Sequence, residues 1–183
     1  MGEGSEEPVP PGGDPAGALA RFLPVLTAGM RPEEAGRAGE ISRALFALRS
    51  AGRTPAEVEE EIRGRRRKAE GLSLDERRRM VEEDRLALAV GKESGRISGN
   101  ALRVLTGDAV VTKELKKETR RAVARLGQVN AVLVGRFPHR TDLLGQVSEA
   151  YLDAMFILNE GKGPASTRLM KIRKDRESPE AKG

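Results

Sequence analysis

The chain has 183 residues, a formal net charge of +5, and 33% charged against 38% apolar residues. That balance fits one domain, or a small domain with helical extensions, built around a lean core. The absence of cysteine excludes disulfides, thiolate metal sites and a cysteine nucleophile, and four Phe, one Tyr and no Trp leave little for stacking unpaired bases.

Residues 1–13 are rich in Gly, Pro and Glu and are predicted to be disordered. Asp14 caps a first helix, with Pro15 at its first position and Ala18, Leu19, Phe22, Leu23 and Leu26 on one face. A second helix starts at Pro32, carries Ala38, Ile41, Ala44, Leu45 and Leu48 on its apolar side, and stops near Gly52. Thr54 with Glu57 and Ser73 with Glu76 have the spacing of capping boxes, in which hydroxyl and carboxylate satisfy free amides at a helix start. The helix after Thr54 offers few apolar positions beyond Val58 and Ile62, so it is predicted to be exposed rather than central. The helix from Ser73 runs towards Val90.

Thr112 caps a further helix reaching Leu126, with Leu115, Thr119, Ala122, Val123 and Leu126 on one side. Pro138 interrupts the chain, and Thr141 begins its most hydrophobic helix, which ends at Gly161. Residues 162–183 hold 7 Lys/Arg against 3 Asp/Glu and read as a basic flexible tail. No strand pattern is found. The expected fold is all-α, a multi-helix bundle with disordered termini. It divides into a helical region 14–72, a basic module 73–137, a hydrophobic helix 138–161 and the tail.

Charge is distributed unevenly. From Lys92 to Arg140 there are 11 Lys/Arg against 4 Asp/Glu, a surplus larger than that of the whole chain. Within it Lys113, Lys116, Lys117 and Arg120 fall at i, i+3, i+4 and i+7, a basic stripe on the side away from Leu115, Ala122 and Leu126. Such a stripe suits phosphate contacts. By contrast, residues 31–91 hold 14 basic and 13 acidic residues, so the clusters around Arg65 and Arg78 are expected to form ion pairs on an exposed helical hairpin.

A helix-turn-helix requires a small residue inside its first helix, a tight turn, and an apolar anchor in the second. Ala87 is followed four residues later by Gly91, and Ile97-Ser98 lie ten and eleven residues after Ala87. This spacing resembles that of the lactose-repressor family and of phage repressors of the Cro type. Leu102 to Gly107, Val111-Thr112, Thr119, Ala122-Val123 and Leu126-Gly127 look like the end of the recognition helix and the loop and third helix of such a headpiece. About 40 of the 183 residues are covered. Four more residues separate Ser98 from Gly107 than in the family pattern, and Gly95 and Gly99 fall inside the presumed recognition helix.

The resemblance implies a duplex-DNA-binding module with its second helix in the major groove. Lys92, Arg96, Ser98, Asn100 and Arg103 would then read bases, Arg being suited to guanine and Asn to adenine. Lys113, Lys116, Lys117, Arg120 and Arg121 would hold phosphates without reading sequence. The wide apolar face of the helix after Thr141 suits a homodimer interface, with Leu144, Val147, Tyr151, Met155 and Leu158 at its centre.

His139 next to Pro138 reads as a surface histidine. No metal site, cofactor loop or isolated carboxylate pair is found, so no enzyme and no cofactor are expected. No apolar run reaches membrane-spanning length and the N-terminus is acidic, which points to a cytoplasmic protein without membrane contact. The functional expectation is a small phage- or plasmid-type transcriptional regulator. The alternatives are a helical subunit that holds RNA or DNA backbone through charge alone, and a protein–protein adaptor.

Overall fold

In a computed structural model, residues 12–177 are described, and all regular structure among them is helical. The elements are α1 (Pro15–Thr27), α2 (Pro32–Arg49), α3 (Pro55–Glu70), α4 (Leu74–Leu105), α5 (Lys113–Arg136), α6 (Thr141–Leu158) and α7 (Thr167–Glu177). The all-α expectation therefore holds. Two compact units are formed, residues 1–88 and 89–183, and their boundary falls inside α4 rather than at residue 72. The expected disorder of residues 1–13 concerns mainly residues 1–11, which lie outside the described residues.

The capping signals work as read. Asp14 Oδ1 accepts from Gly17 N at 2.9 Å. Thr54 and Glu57 close a full capping box, and Ser73 and Glu76 exchange the same pair of bonds at 2.8 and 3.3 Å. Each box satisfies amides that have no partner within the helix.

In the first unit, Ala18, Phe22 and Leu26 of α1 meet Phe46 of α2, Val58, Ile62 and Ala69 of α3, and Met80 of α4. Phe22 and Phe46 contact edge to face, with centroids 6.4 Å apart. The prediction that α3 is exposed is corrected, because α3 is the main partner of α1. Its three well-spaced apolar residues suffice because polar bonds add to them. Buried Glu59 accepts from Asp14 N at 2.8 Å and pairs with Arg63 at 2.6 Å. Arg65 reaches both oxygens of buried Asp84 at 2.5 Å and lies over the Phe46 ring. On α2 the buried face is also rotated from the predicted one: Phe46 is buried, whereas Leu48 is exposed.

The largest correction concerns residues 91–98. The two helices and the turn that the repressor-like pattern requires are instead one helix of 32 residues, α4. Three glycines, Gly91, Gly95 and Gly99, lie within it, each unfavourable by about 1 kcal/mol relative to Ala. The helix continues because its apolar period continues: Leu86, Ala87, Val90, Ile97 and Ala101 are all buried. A turn would break that stripe and expose part of it.

In the second unit, residues 89–105 of α4 run antiparallel to α5, as the Glu93–Arg125 and Arg96–Glu118 pairs show. α5 in turn is antiparallel to α6, with Lys116 bonded to Glu160 near one end and Gly127 facing Tyr151 further along. Thr112 caps α5 by accepting from Leu115 N at 3.1 Å, and the helix continues past the predicted Leu126 to Arg136. Gly107, with φ 78°, turns the chain out of α4 in a conformation that favours glycine. The expected flexible tail also needs correction. Ser166 caps α7 by accepting from Leu169 N at 3.3 Å, and Leu169 is buried. Residues 178–183 lie outside the described residues.

A Cβ built at Gly95 or Gly99 meets no atom within 4 Å, so neither glycine is required by packing. Gly95→Ala and Gly99→Ala should each raise stability by about 0.5–1 kcal/mol. The readout is a higher urea midpoint at unchanged slope. A lower midpoint would mean that the space over α4 is not open.

Candidate nucleic-acid interface

α5 displays the basic stripe because its core face is fixed elsewhere. Thr119, Ala122, Leu126 and Leu133 are buried on one side. With about 100° between successive residues, Lys113, Lys117, Arg120 and Arg121 project from the opposite side. All four are exposed, and none has an ion-pair partner among the described residues. They span about 12 Å of helix. Beyond them the same face carries Ala124, Gln128, Ala131 and Gly135, which are uncharged.

Lys116 departs from its predicted role. It turns towards α6 and bonds Glu160 at 2.7 Å, with only 24% of its side chain exposed. That bond holds the Glu160 carboxyl below its ordinary range. Lys116 is therefore a link between helices, at the edge of the free stripe.

The predicted base-reading residues separate into four groups. Lys92 and Arg103 are exposed and unpaired among the described residues. Arg96 is exposed but lies 3.5 Å from Glu118 of α5. Asn100 is half-buried. Ser98 is corrected outright, because it faces inward and donates to Asp153 Oδ2 at 2.6 Å. Continuity of α4 explains the split, since Lys92, Arg96 and Arg103 share its outer face while Ser98 sits beside Ile97 and Ala101 on the inner one.

Asp153 is a residue that the sequence reading passed over. It is 1% exposed, and its second oxygen accepts from Ser166 N at 3.1 Å. One buried carboxylate thus joins α4, α6 and the start of α7, where the free amides of a helix N-terminus favour negative charge. A signal was present: Asp153 lies at i+3 from Ala150 and i−4 from Ile157, on the core face of the most hydrophobic helix.

The seam between α4 and α5 is polar. Arg125 bonds both oxygens of Glu93 at 2.7 and 3.0 Å, which raises the guanidinium pKa above its ordinary value. With Arg96–Glu118 this makes a line of compensated charge, and exposed Glu114 lies beyond it.

In the clusters of α3 and of the start of α4 most arginines are matched with acids, as expected, and Arg77 donates to the Leu72 and Ala28 carbonyls instead. Arg66 pairs with Glu70, Arg67 with Glu60, and Arg78 with both Glu34 and Asp75. Arg78 holds the Glu34 carboxyl below its ordinary range. A groove of about 480 Å³ between α2 and the first half of α4 contains Arg78 and Arg85, but Glu34 and Glu82 neutralise them there.

On α6, Val147 is 2% exposed, which removes it from the predicted dimer interface. Leu144, Tyr151 and Leu158 are half-buried, and Met155 is exposed. Exposed Leu152 joins them on that side and was not anticipated. His139 is exposed, its ring against Phe137. Among the described residues no group of acidic or histidine side chains is arranged to hold a metal ion, and no helix is long and apolar enough to cross a membrane.

No protein-family model matches the chain, and neither a curated protein nor a solved structure is significantly similar to it.

Ser98→Ala should destabilise the protein by about 1.5–3 kcal/mol, the range for a hydrogen bond to a charged group. Asp153→Ala should cost more, because it also leaves the Ser166 amide without its acceptor. Urea unfolding measures both. An unchanged midpoint for Ser98→Ala would return that side chain to the surface.

Proposed function

We propose that this protein binds nucleic acid through backbone phosphates, with the outer face of α5 as the primary contact. One observation carries the reading. Lys113, Lys117, Arg120 and Arg121 point the same way and have no acidic partner among the described residues, whereas Arg63, Arg65, Arg66 and Arg67 of α3 and Arg78 of α4 are ion-paired. Neutralised cations gain little from a polyanion, because a new contact must replace an existing one. Free cations on a rigid helix release condensed counterions when they meet phosphate, and that release drives binding.

The same geometry favours backbone contact over base readout. A recognition helix must project as an element able to enter a groove. Here the segment assigned that role is the second half of a long helix, and its Ser98 is occupied by Asp153. The proposal thus keeps nucleic-acid binding from the regulator reading and sets aside its device for reading sequence. A homodimer remains part of the proposal, through the side of α6 that carries Leu144, Tyr151, Leu152, Met155 and Leu158. Two copies would double the number of phosphate contacts.

The four free cations of α5 alone contribute about −3.6 to the slope when log affinity for duplex is plotted against log salt. Lys117→Ala and Arg120→Ala should each flatten it by about 0.9 and weaken all sequences alike. Fluorescence anisotropy with two unrelated duplexes over a salt series measures this. Absence of binding at low salt would overturn the proposal and favour an adaptor that meets an acidic protein.

A further inference from the structure

Building on that reading, we infer that the ligand is a duplex held astride, with α4 carrying a second row of phosphate contacts parallel to that on α5. Lys92 and Arg103, the free cations of this row, stand at i and i+11 on the outer face of α4, opposite buried Val90, Ile97 and Ala101, and Arg96 between them is already paired with Glu118. Lys113, Lys117, Arg120 and Arg121 form the row on α5. The two helices are antiparallel neighbours joined by Glu93–Arg125 and Arg96–Glu118, so the rows run alongside each other with that seam between them.

The seam decides which ligand fits. Glu93 and Glu118 in it are matched by Arg125 and Arg96, and exposed Glu114 lies beside it, so a single phosphate backbone laid along the seam would meet no free cation. Two backbones, one over each row, avoid them and place a groove above the seam. Packed helices have axes about 8–10 Å apart, and side chains projecting outward widen the separation of the rows. Of the grooves of B-DNA, the major groove of about 12 Å is nearer that separation than the minor groove of about 6 Å.

Two further features agree. Over α4 the space is open, because a Cβ at Gly95 or Gly99 would meet no atom within 4 Å, so a strand can approach the helix between Lys92 and Arg103. Among the described residues no phenylalanine or tyrosine is exposed as a stacking platform for unpaired bases. Phe137 and Phe156 are buried, and Tyr151 is half-buried with its hydroxyl towards Gly127. Single strands gain much of their affinity from such platforms.

The test uses the full chain and a 20-base-pair DNA duplex, an RNA duplex of equal length, and a single strand with the same number of phosphates. Affinity is read by fluorescence anisotropy over a salt series that starts at low salt. At least one duplex should bind about tenfold more tightly than the single strand. The double variant Lys92→Ala/Arg103→Ala should weaken that duplex about tenfold and flatten its salt slope by about 1.8, while leaving single-strand affinity within about twofold. Lys117→Ala/Arg121→Ala should weaken duplex and single strand alike. Circular dichroism melting establishes that both variants fold. The duplex that binds more tightly identifies the source of the two strands, and either one supports the inference. Equal affinity for single strand and duplex would overturn it, as would unchanged duplex affinity in the α4 variant. Both of those results leave the contact through α5 standing. Failure of all three ligands to bind would instead remove that reading, and this inference with it.

Discussion

The apolar stripe of α4 is the constraint on which the second unit depends. Val90, Ile97 and Ala101 are buried at helical spacing across three glycines that would otherwise favour a break. Burying a Val or an Ile side chain is worth about 1.5–3 kcal/mol, which outweighs about 1 kcal/mol lost at each glycine. Because the helix does not bend into a turn, Lys92, Arg96 and Arg103 stay on one line, and Ser98 is directed inward to Asp153. A turn at Gly91 would have changed both.

Buried polar groups set the fine positions of the helices. Arg65 with Asp84 joins α3 to the start of α4, and Asp153 joins Ser98 to the cap of α7. Each buried carboxylate has donors on its oxygens, which is the condition for burial to be tolerated. Such bonds favour one register over its slipped alternatives, in a core of aliphatic residues whose aromatic members are Phe22, Phe46, Phe137 and Phe156.

Electrostatics then separates structural from available charge. Nearly equal numbers of acids and bases in residues 31–91 produce ion pairs within and between helices. Beyond Lys92 the bases outnumber the acids, and the excess is placed on the outer faces of α4 and α5. The same side-chain type has different roles in the two places. Arg65 is 18% exposed and holds a buried aspartate, whereas Arg120 and Arg121 face solvent without a partner. Net charge alone would not have distinguished them.

Local chemistry determined what the sequence by itself could tell. Helix starts at Asp14, Thr54, Ser73 and Thr112, the break at Pro138, the all-α class and the basic stripe of α5 all rest on interactions within about four residues, and all were legible. The turn expected between Gly91 and Ile97 was misread for the opposite reason. Glycine spacing was weighed locally, whereas α4 is kept whole by what Val90, Ile97 and Ala101 bury against. Only the tertiary structure decided that α3 is central, that Lys116 belongs to Glu160, that Val147 is inside and that Ser98 meets Asp153. Those pairings join residues tens of positions apart, and they depend on the register in which helices pack. No local pattern encodes that register, because it is set by the fit of side chains contributed by several helices at once.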